Sequence, residues 1–355
     1  MRLLPNRVVF RLPLNCGGSA GASPSYQPSQ NDRRIRGLTP PGSPVQMRFD
    51  IEFPVRKPPT MPDQATILRG LMERHAQPQA GPEIAAARTG TRCLVIASGK
   101  GGVGNSHIAL NLAVQLSKAG RSICLLDANP GPGNLELMCG LNGYWNLKHV
   151  ATGARRVADV ALEGPYGIRL LSGAAELLDS PFRSPTASQL HVWQQVSEFL
   201  NQHKYVIIDT ASGDQPLTRR LMQAADCTWL ITTPELTAIA DAYSLVKSCA
   251  AQAPLPQIEV LVNRSESAIH AREIIERMQQ TTRNFLQQEI YSAGYVPLDA
   301  CVGAALAQRQ PFVIAHPKSA ATQAISQLTT QWTHRTGEIH STFTNRIVGQ
   351  SRRAA

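Results

Sequence analysis

Charge is scarce in this sequence: 17% of the residues are Asp, Glu, Lys or Arg, against about a quarter in an ordinary soluble domain. Aromatic residues are scarcer still, at 5%. No stretch approaches the roughly 18 consecutive apolar residues of a spanning helix, which excludes a helical integral membrane protein. The seven cysteines include no Cys-x-x-Cys pair. Their odd number, and positions inside apolar runs such as Cys93-Leu94-Val95-Ile96, argue against a disulfide framework or metal site and for buried thiols in a reducing compartment. Hydrophobic residues are plentiful at 43%, which excludes a wholly disordered chain.

The net charge of +10 is unevenly spread over the 355 residues. Residues 1–60 hold nine Lys/Arg against three Asp/Glu, so the other 295 residues carry a surplus of only four. A nearly balanced main body makes the pI near 9.5 weak support for nucleic-acid binding, and nucleic acid is not an expected partner.

Residues 1–60 also hold ten of the 25 prolines and show no sustained hydrophobic period. They read as a disordered, basic, Pro-rich extension. Pro5, Asn6, Arg7, Arg11 and Pro13 break the apolar start, which argues against a signal peptide. Met61, just before the first orderly pattern, is a candidate alternative start. Residues 61–75 contain an amphipathic helix pattern, with Asp63 as N-cap and Ile67, Leu68 and Leu71 on one face. Residues 76–91 are Pro/Gly/Ala-rich and read as a linker.

From residue 92 to 334 the pattern alternates between strand and helix. Strands are expected at 93–98, 122–127, 168–172, 205–209, 228–232 and 258–262, with a weaker one at 291–296. Most are continuous apolar runs, as expected of strands covered on both faces. Between them lie helical periods, as in Leu190, Trp193, Val196, Phe199 and Leu200. This order predicts an α/β fold with a doubly wound, mainly parallel sheet.

The first strand runs into Gly99, Lys100, Gly101, Gly102, Val103, Gly104, Asn105 and Ser106, and then into a helix rich in Ala and Leu. Strand, glycine-rich loop and helix together form the geometry that wraps backbone N–H groups around phosphates. Ser106 is placed to offer its hydroxyl to Mg²⁺. The lysine that ordinarily precedes that serine is Asn105 here. Losing one charge-assisted contact costs about 1.5–3 kcal/mol, or roughly ten- to a hundredfold in affinity.

With its early lysine, Lys100, the loop resembles the deviant Walker A motif of the MinD/ParA ATPases. The likeness continues downstream. Asp127-Ala-Asn129 resembles the switch segment, and Tyr205-Val-Ile-Ile-Asp209 the Walker B strand. Thr232-Thr-Pro-Glu235 with Thr237 and Asp241 matches a further family segment. Asn263-Arg264 resembles the adenine-side strand end. The resemblance implies a P-loop NTPase fold, ATP and Mg²⁺ as cofactors, Ser106 and Asp209 at the metal, and an ATP-dependent homodimer in which the early lysine contacts phosphates. Family members commonly have Asp at the position of Asn129, where it orients the attacking water. An amide cannot take a proton, and such groups are worth about 10²–10⁴ in rate. With both charged positions replaced by asparagine, weak or absent ATP turnover is expected, with some ATP binding retained.

Asp63-Gln64-Ala65-Thr66-Ile67-Leu68-Arg69 matches the DQAxxLR motif of the FlhG (FleN, YlxH) branch, the MinD-like regulators of flagellar number and placement. The resemblance implies docking of this helix on an FlhF-type GTPase, with Gln64 stimulating GTP hydrolysis. A glutamine amide can orient a water towards a γ-phosphate. It also implies flagellar regulator or basal-body proteins as partners. Two other readings are a ParA-type partitioning ATPase, which would require DNA binding, and an interaction module that has lost nucleotide binding. Beyond the final helix, Ile339, Phe343 and Ile347 recur every four residues with Arg346, Arg352 and Arg353 nearby. In residues 335–355 this spacing suggests a membrane-surface helix, although Gly337, Gly349 and many Ser/Thr make a poor helix former. A cytoplasmic location is expected, peripheral at the inner face of the cell membrane if that tail binds lipid.

Overall fold

The computed structural model describes residues 90–130, 134–175, 187–252 and 256–334, together with Phe343 and Arg346. The extension, the Asp63–Arg69 segment with Gln64, and most of the linker lie outside the described residues. In chain order the elements are β1 (Arg92–Ala97), α1 (Asn105–Lys118), β2 (Ile123–Ala128) and three short helices, α2 (Asn134–Met138), α3 (Leu147–Ala151) and α4 (Val157–Val160). These are followed by β3 (Leu162–Glu163), β4 (Arg169–Leu171), α5 (Ala187–Asn201), β5 (Tyr205–Thr210), α6 (Pro216–Ala224) and β6 (Cys227–Thr232). Next come α7 (Leu236–Ala250), β7 (Gln257–Ser265), α8 (Ala268–Leu286), β8 (Tyr291–Pro297), α9 (Ala300–Ala307), α10 (Phe312–Ala315) and α11 (Ala320–His334).

The eight strands form one sheet in the order β3-β4-β2-β5-β1-β6-β7-β8. Every pairing is parallel except β3 with β4. The expected strands are all present with ends shifted by a residue or more. The two-residue β3, too short to leave a pattern, was not expected. The apolar runs make the central strands because both of their faces are covered. Cys93, Val95 and Ala97 of β1 point into one core and Leu94 and Ile96 into the other. Every residue of β2, β5 and β6 is buried.

The strand order reverses at β1, which lies between β5 and β6 while its crossover through α1 leads to β2 beyond β5. Ligands of open parallel sheets bind at such a switch point, outside the carboxyl ends of the strands. The glycine-rich loop leaves β1 there.

The last helix packs as its spacing predicts, with Ile325, Leu328 and Trp332 buried. Arg92 closes its end, donating from Nη1 to the Trp332 carbonyl at 2.7 Å and lying 5.0 Å from the centre of the indole. The tail departs from expectation. Phe343, placed on a lipid-facing stripe by its spacing, is only 7% exposed and belongs to the core cluster of Val95 and Leu245. Arg346 donates to the Ala225 carbonyl at 3.2 Å and pairs with Asp226. Apolar spacing alone cannot distinguish a membrane from the protein's own core. Ile339 and Ile347 lie outside the described residues. No helix among those described is long and apolar enough to cross a membrane. The described cysteines are free, with Cys93, Cys124, Cys227 and Cys249 buried.

Candidate functional site

Backbone packing sets the shape of the loop after β1. A Cβ on Gly99 would lie 2.1 Å from the Asp241 carbonyl carbon in α7, so only glycine fits. Gly104 caps α1 at φ 106°, and a Cβ there would meet Asn263 Nδ2 at 2.4 Å. That Asn263 amide, at the end of β7, donates to the Val103 carbonyl at 2.7 Å. Asn263 is thus a strut of the loop. From the other side the Ser98 carbonyl accepts the Gly213 N–H at 2.8 Å. Loop and α1 N-terminus together present backbone donors and the positive end of a helix dipole.

Parallel pairing of β2 with β5 puts Asp127 beside Asp209. Asp209 Oδ2 accepts from Ser106 Oγ at 2.6 Å and from Asn129 Nδ2 at 2.7 Å. The same Asn129 amide donates to Asp127 Oδ1 at 3.2 Å, and the Asn129 backbone N–H donates to that oxygen at 3.0 Å. One neutral side chain therefore bridges two carboxyls. Burial pushes the Asp209 carboxyl up to about 8 and nearby Asp127 adds to the rise, while the bonds from Ser106 and Asn129 oppose it. Burial also raises Asp127 above its usual range. Asp209 Oδ1 and Asp127 Oδ2 are buried with no hydrogen-bond partner. A serine hydroxyl beside a carboxylate with an orphaned oxygen suits the hard, oxygen-seeking Mg²⁺, so Ser106 and Asp209 fit that ion. Among the described residues no group of three or more His, Cys, Asp or Glu could hold another metal.

Asn105 occupies the lysine position on the first turn of α1. It is buried, and its Oδ1 has no partner. Lys100 points to neighbouring side chains, its Nζ donating to Glu235 Oε2 at 2.7 Å and to Thr237 Oγ1 at 2.8 Å. That bond holds the Glu235 carboxyl below its usual range. The pair is exposed, so it contributes little stability and is easily exchanged.

Above the loop is a cavity of about 600 Å³ reached by Gly102, Val103, Gly104, Asn105, Ser106 and Asn129. A second cavity of about 350 Å³ adjoins it, walled by Val296, Pro297, Val302 and Phe312 with Asn263 at its edge. His107 and Arg264 line both cavities. Arg264 has φ 57°, which turns β7 sharply at this junction. Burial, and secondarily Arg264, lower the His107 pKa below its usual value. A polar chamber joined to an apolar slot matches a phosphate chain joined to a flat base.

The structure thus gathers Asn105, Ser106, Asp127, Asn129, Asp209, Asn263 and Arg264 round one loop, with Lys100 directed to its flank. His107, Leu306 and Arg309 also line the chamber and were not anticipated from the sequence. Leu306 and Arg309 sit some 200 positions from the loop, and no local pattern signals their arrival.

The family model for ParA, described as "NUBPL iron-transfer P-loop NTPase", matches residues 90–333. The antiactivator FleN of Pseudomonas aeruginosa is 29% identical over 244 residues, 67% of this chain and 86% of FleN. The flagellum site-determining protein YlxH of Helicobacter pylori is 32% identical over 157 residues, 44% of this chain and 53% of YlxH. The MinD of Pyrococcus horikoshii, solved with Mg-ADP, superposes with a TM-score of 0.54 at 20% identity, covering 70% of this chain and 99% of that one. At that identity the superposition establishes the fold. Matched over more than two thirds of its length, the chain belongs to the ParA/MinD family of P-loop NTPases, with FleN and YlxH among its relatives.

Proposed function

We propose that this chain is a MinD-like, ATP-binding regulator of flagellar number and placement that acts on an FlhF-type GTPase through the Asp63–Arg69 segment and turns over ATP weakly or not at all. The observation that carries the reading is the match to FleN over 86% of that protein, together with the DQAxxLR motif ahead of it. The core would hold nucleotide and the N-terminal segment would act on the partner.

The residues divide the work as follows. Backbone N–H groups of Gly99–Gly104 and the α1 N-terminus receive the phosphates. Ser106 and Asp209 would hold Mg²⁺, which would shield phosphate charge. Asn263 keeps the loop open, and the slot beside Val296 and Phe312 takes the base. Weak turnover is supported by Asn129. Its amide N–H already spans Asp127 and Asp209, and an amide cannot accept a proton from water.

A GTPase assay with an FlhF-type partner tests the reading. Adding this chain accelerates GTP hydrolysis, and Gln64→Ala abolishes the acceleration while leaving the melting temperature of the core unchanged. Unaltered stimulation by the variant would remove Gln64 from the mechanism. ATP hydrolysis by the wild-type chain at an ordinary family rate would overturn the claim of weak turnover. Failure of a labelled ATP analogue to bind would instead favour the module without nucleotide, for which the lost lysine is the supporting observation.

A further inference from the structure

At the opposite end of the sheet, where the parallel strands begin, three segments converge on a third cavity, of about 290 Å³. Its walls include Gly90 before β1, Gly120, Arg121 and Ser122 between α1 and β2, and Lys204 before β5. Among the described residues no Asp or Glu lines it. Segments 117–122 and 201–205 together carry Lys118, Arg121 and Lys204 and no acidic residue.

Neither Arg121 nor Lys204 pairs with a carboxylate among the described residues. Lys118 and Lys204 rest on the rings of Tyr166 and Tyr205, 5.5 and 6.0 Å from their centres. Asp226, at the head of β6, accepts from the Cys93 N–H at 2.8 Å and pairs with Arg346. Two cations without a carboxylate partner and a serine therefore line one concave space that has no acid in its wall among the described residues. Self-repulsion between like charges is tolerated where an anion is to be received.

We propose that this cavity is a second phosphate-binding site, separate from the nucleotide loop and about 20 Å from it along β1. Arg121 supplies a planar fork of donors suited to two phosphate oxygens. Lys204 supplies a point charge, and Ser122 a hydroxyl. The cavity accommodates a single phosphate monoester or diester, and its open mouth makes binding sensitive to salt. The phosphate would come from a free phosphorylated molecule or from a lipid headgroup.

The test uses the full chain. Inorganic phosphate is titrated while the backbone amides of Gly90, Gly120 and Ser122 are followed by NMR, and the amides of Gly99–Ser106 report separately on the nucleotide loop. Saturable shifts at Gly120 and Ser122 are expected. Arg121→Glu combined with Lys204→Glu should weaken them at least about tenfold, and Arg272→Glu combined with Arg277→Glu, an equal charge change at exposed positions of α8, should not. The neutral pair Arg121→Gln and Lys204→Gln, checked by melting temperature, covers the chance that charge reversal unfolds the chain. In a parallel arm, sedimentation with phosphatidylglycerol/phosphatidylcholine vesicles is compared with pure phosphatidylcholine. Loss of sedimentation in the Arg121/Lys204 variant identifies a headgroup as the source, whereas phosphate shifts without sedimentation identify a free ligand. Absence of both effects, or equal weakening by the Arg272→Glu and Arg277→Glu pair, overturns the proposal.

Discussion

Two asparagines stand where charged residues serve the family. Asn105 places an amide with a partnerless oxygen where a cation would meet phosphate. Replacing it by lysine should tighten ATP binding about ten- to a hundredfold, read by calorimetry; unchanged affinity would mean that the loop amides alone decide binding. Asp209 gives a pH signature. Its carboxyl is raised to about 8 in the folded protein from an ordinary value near 3.8. A raised carboxyl binds its proton more tightly folded than unfolded. The stability it contributes is therefore complete below about pH 4 and lost as pH climbs through 8. Asp209→Asn keeps the neutral form at every pH. Its unfolding free energy, from urea denaturation without Mg²⁺ or nucleotide, should track that of the wild type below pH 4 and exceed it increasingly up to pH 8, by a few kcal/mol. A pH-independent difference would refute the assignment. Asp127 and Asp209 were legible as strand-end acids. Their sharing of one asparagine was not, because residue 129 meets residue 209 only through the β2–β5 register.

At the scale of elements, strands and helices were read with little error wherever an apolar period lasted several residues. β3 escaped because two residues carry no period. The loop after β1 was legible as a phosphate cradle, but its rigidity was not, since its struts come from α7 and β7. Gly99→Ala tests this dependence. A Cβ 2.1 Å from the Asp241 backbone must displace α7 or the loop. The variant should lose about 1–3 kcal/mol in urea denaturation and bind nucleotide more weakly. Retained stability with native affinity would show that the loop moves freely. In the single chain Lys100 bonds Glu235 and Thr237, partners that its place in the loop does not signal. A surface lysine takes the acceptor its neighbours offer, and that neighbour is 135 residues distant in sequence.

Across the whole molecule, the tail gives the clearest difference between pattern and place. Phe343 is packed in the core, so it must leave that site before it can enter a lipid surface. Phe343→Ala should destabilise the core by about 3 kcal/mol, measured by denaturation, while leaving Gly99–Ser106 chemistry unchanged; a neutral effect would mean that the contact is dispensable. The sequence by itself determined the parallel α/β architecture, the phosphate loop with its two missing charges, and the family, because these are written in local runs and fixed spacings. Only the tertiary structure decided which amide bridges the two acids, what Lys100 holds, that Phe343 packs into the core, and where cations gather at the far end of the sheet. Those outcomes depend on strand order and register, which bring together residues that no local pattern connects.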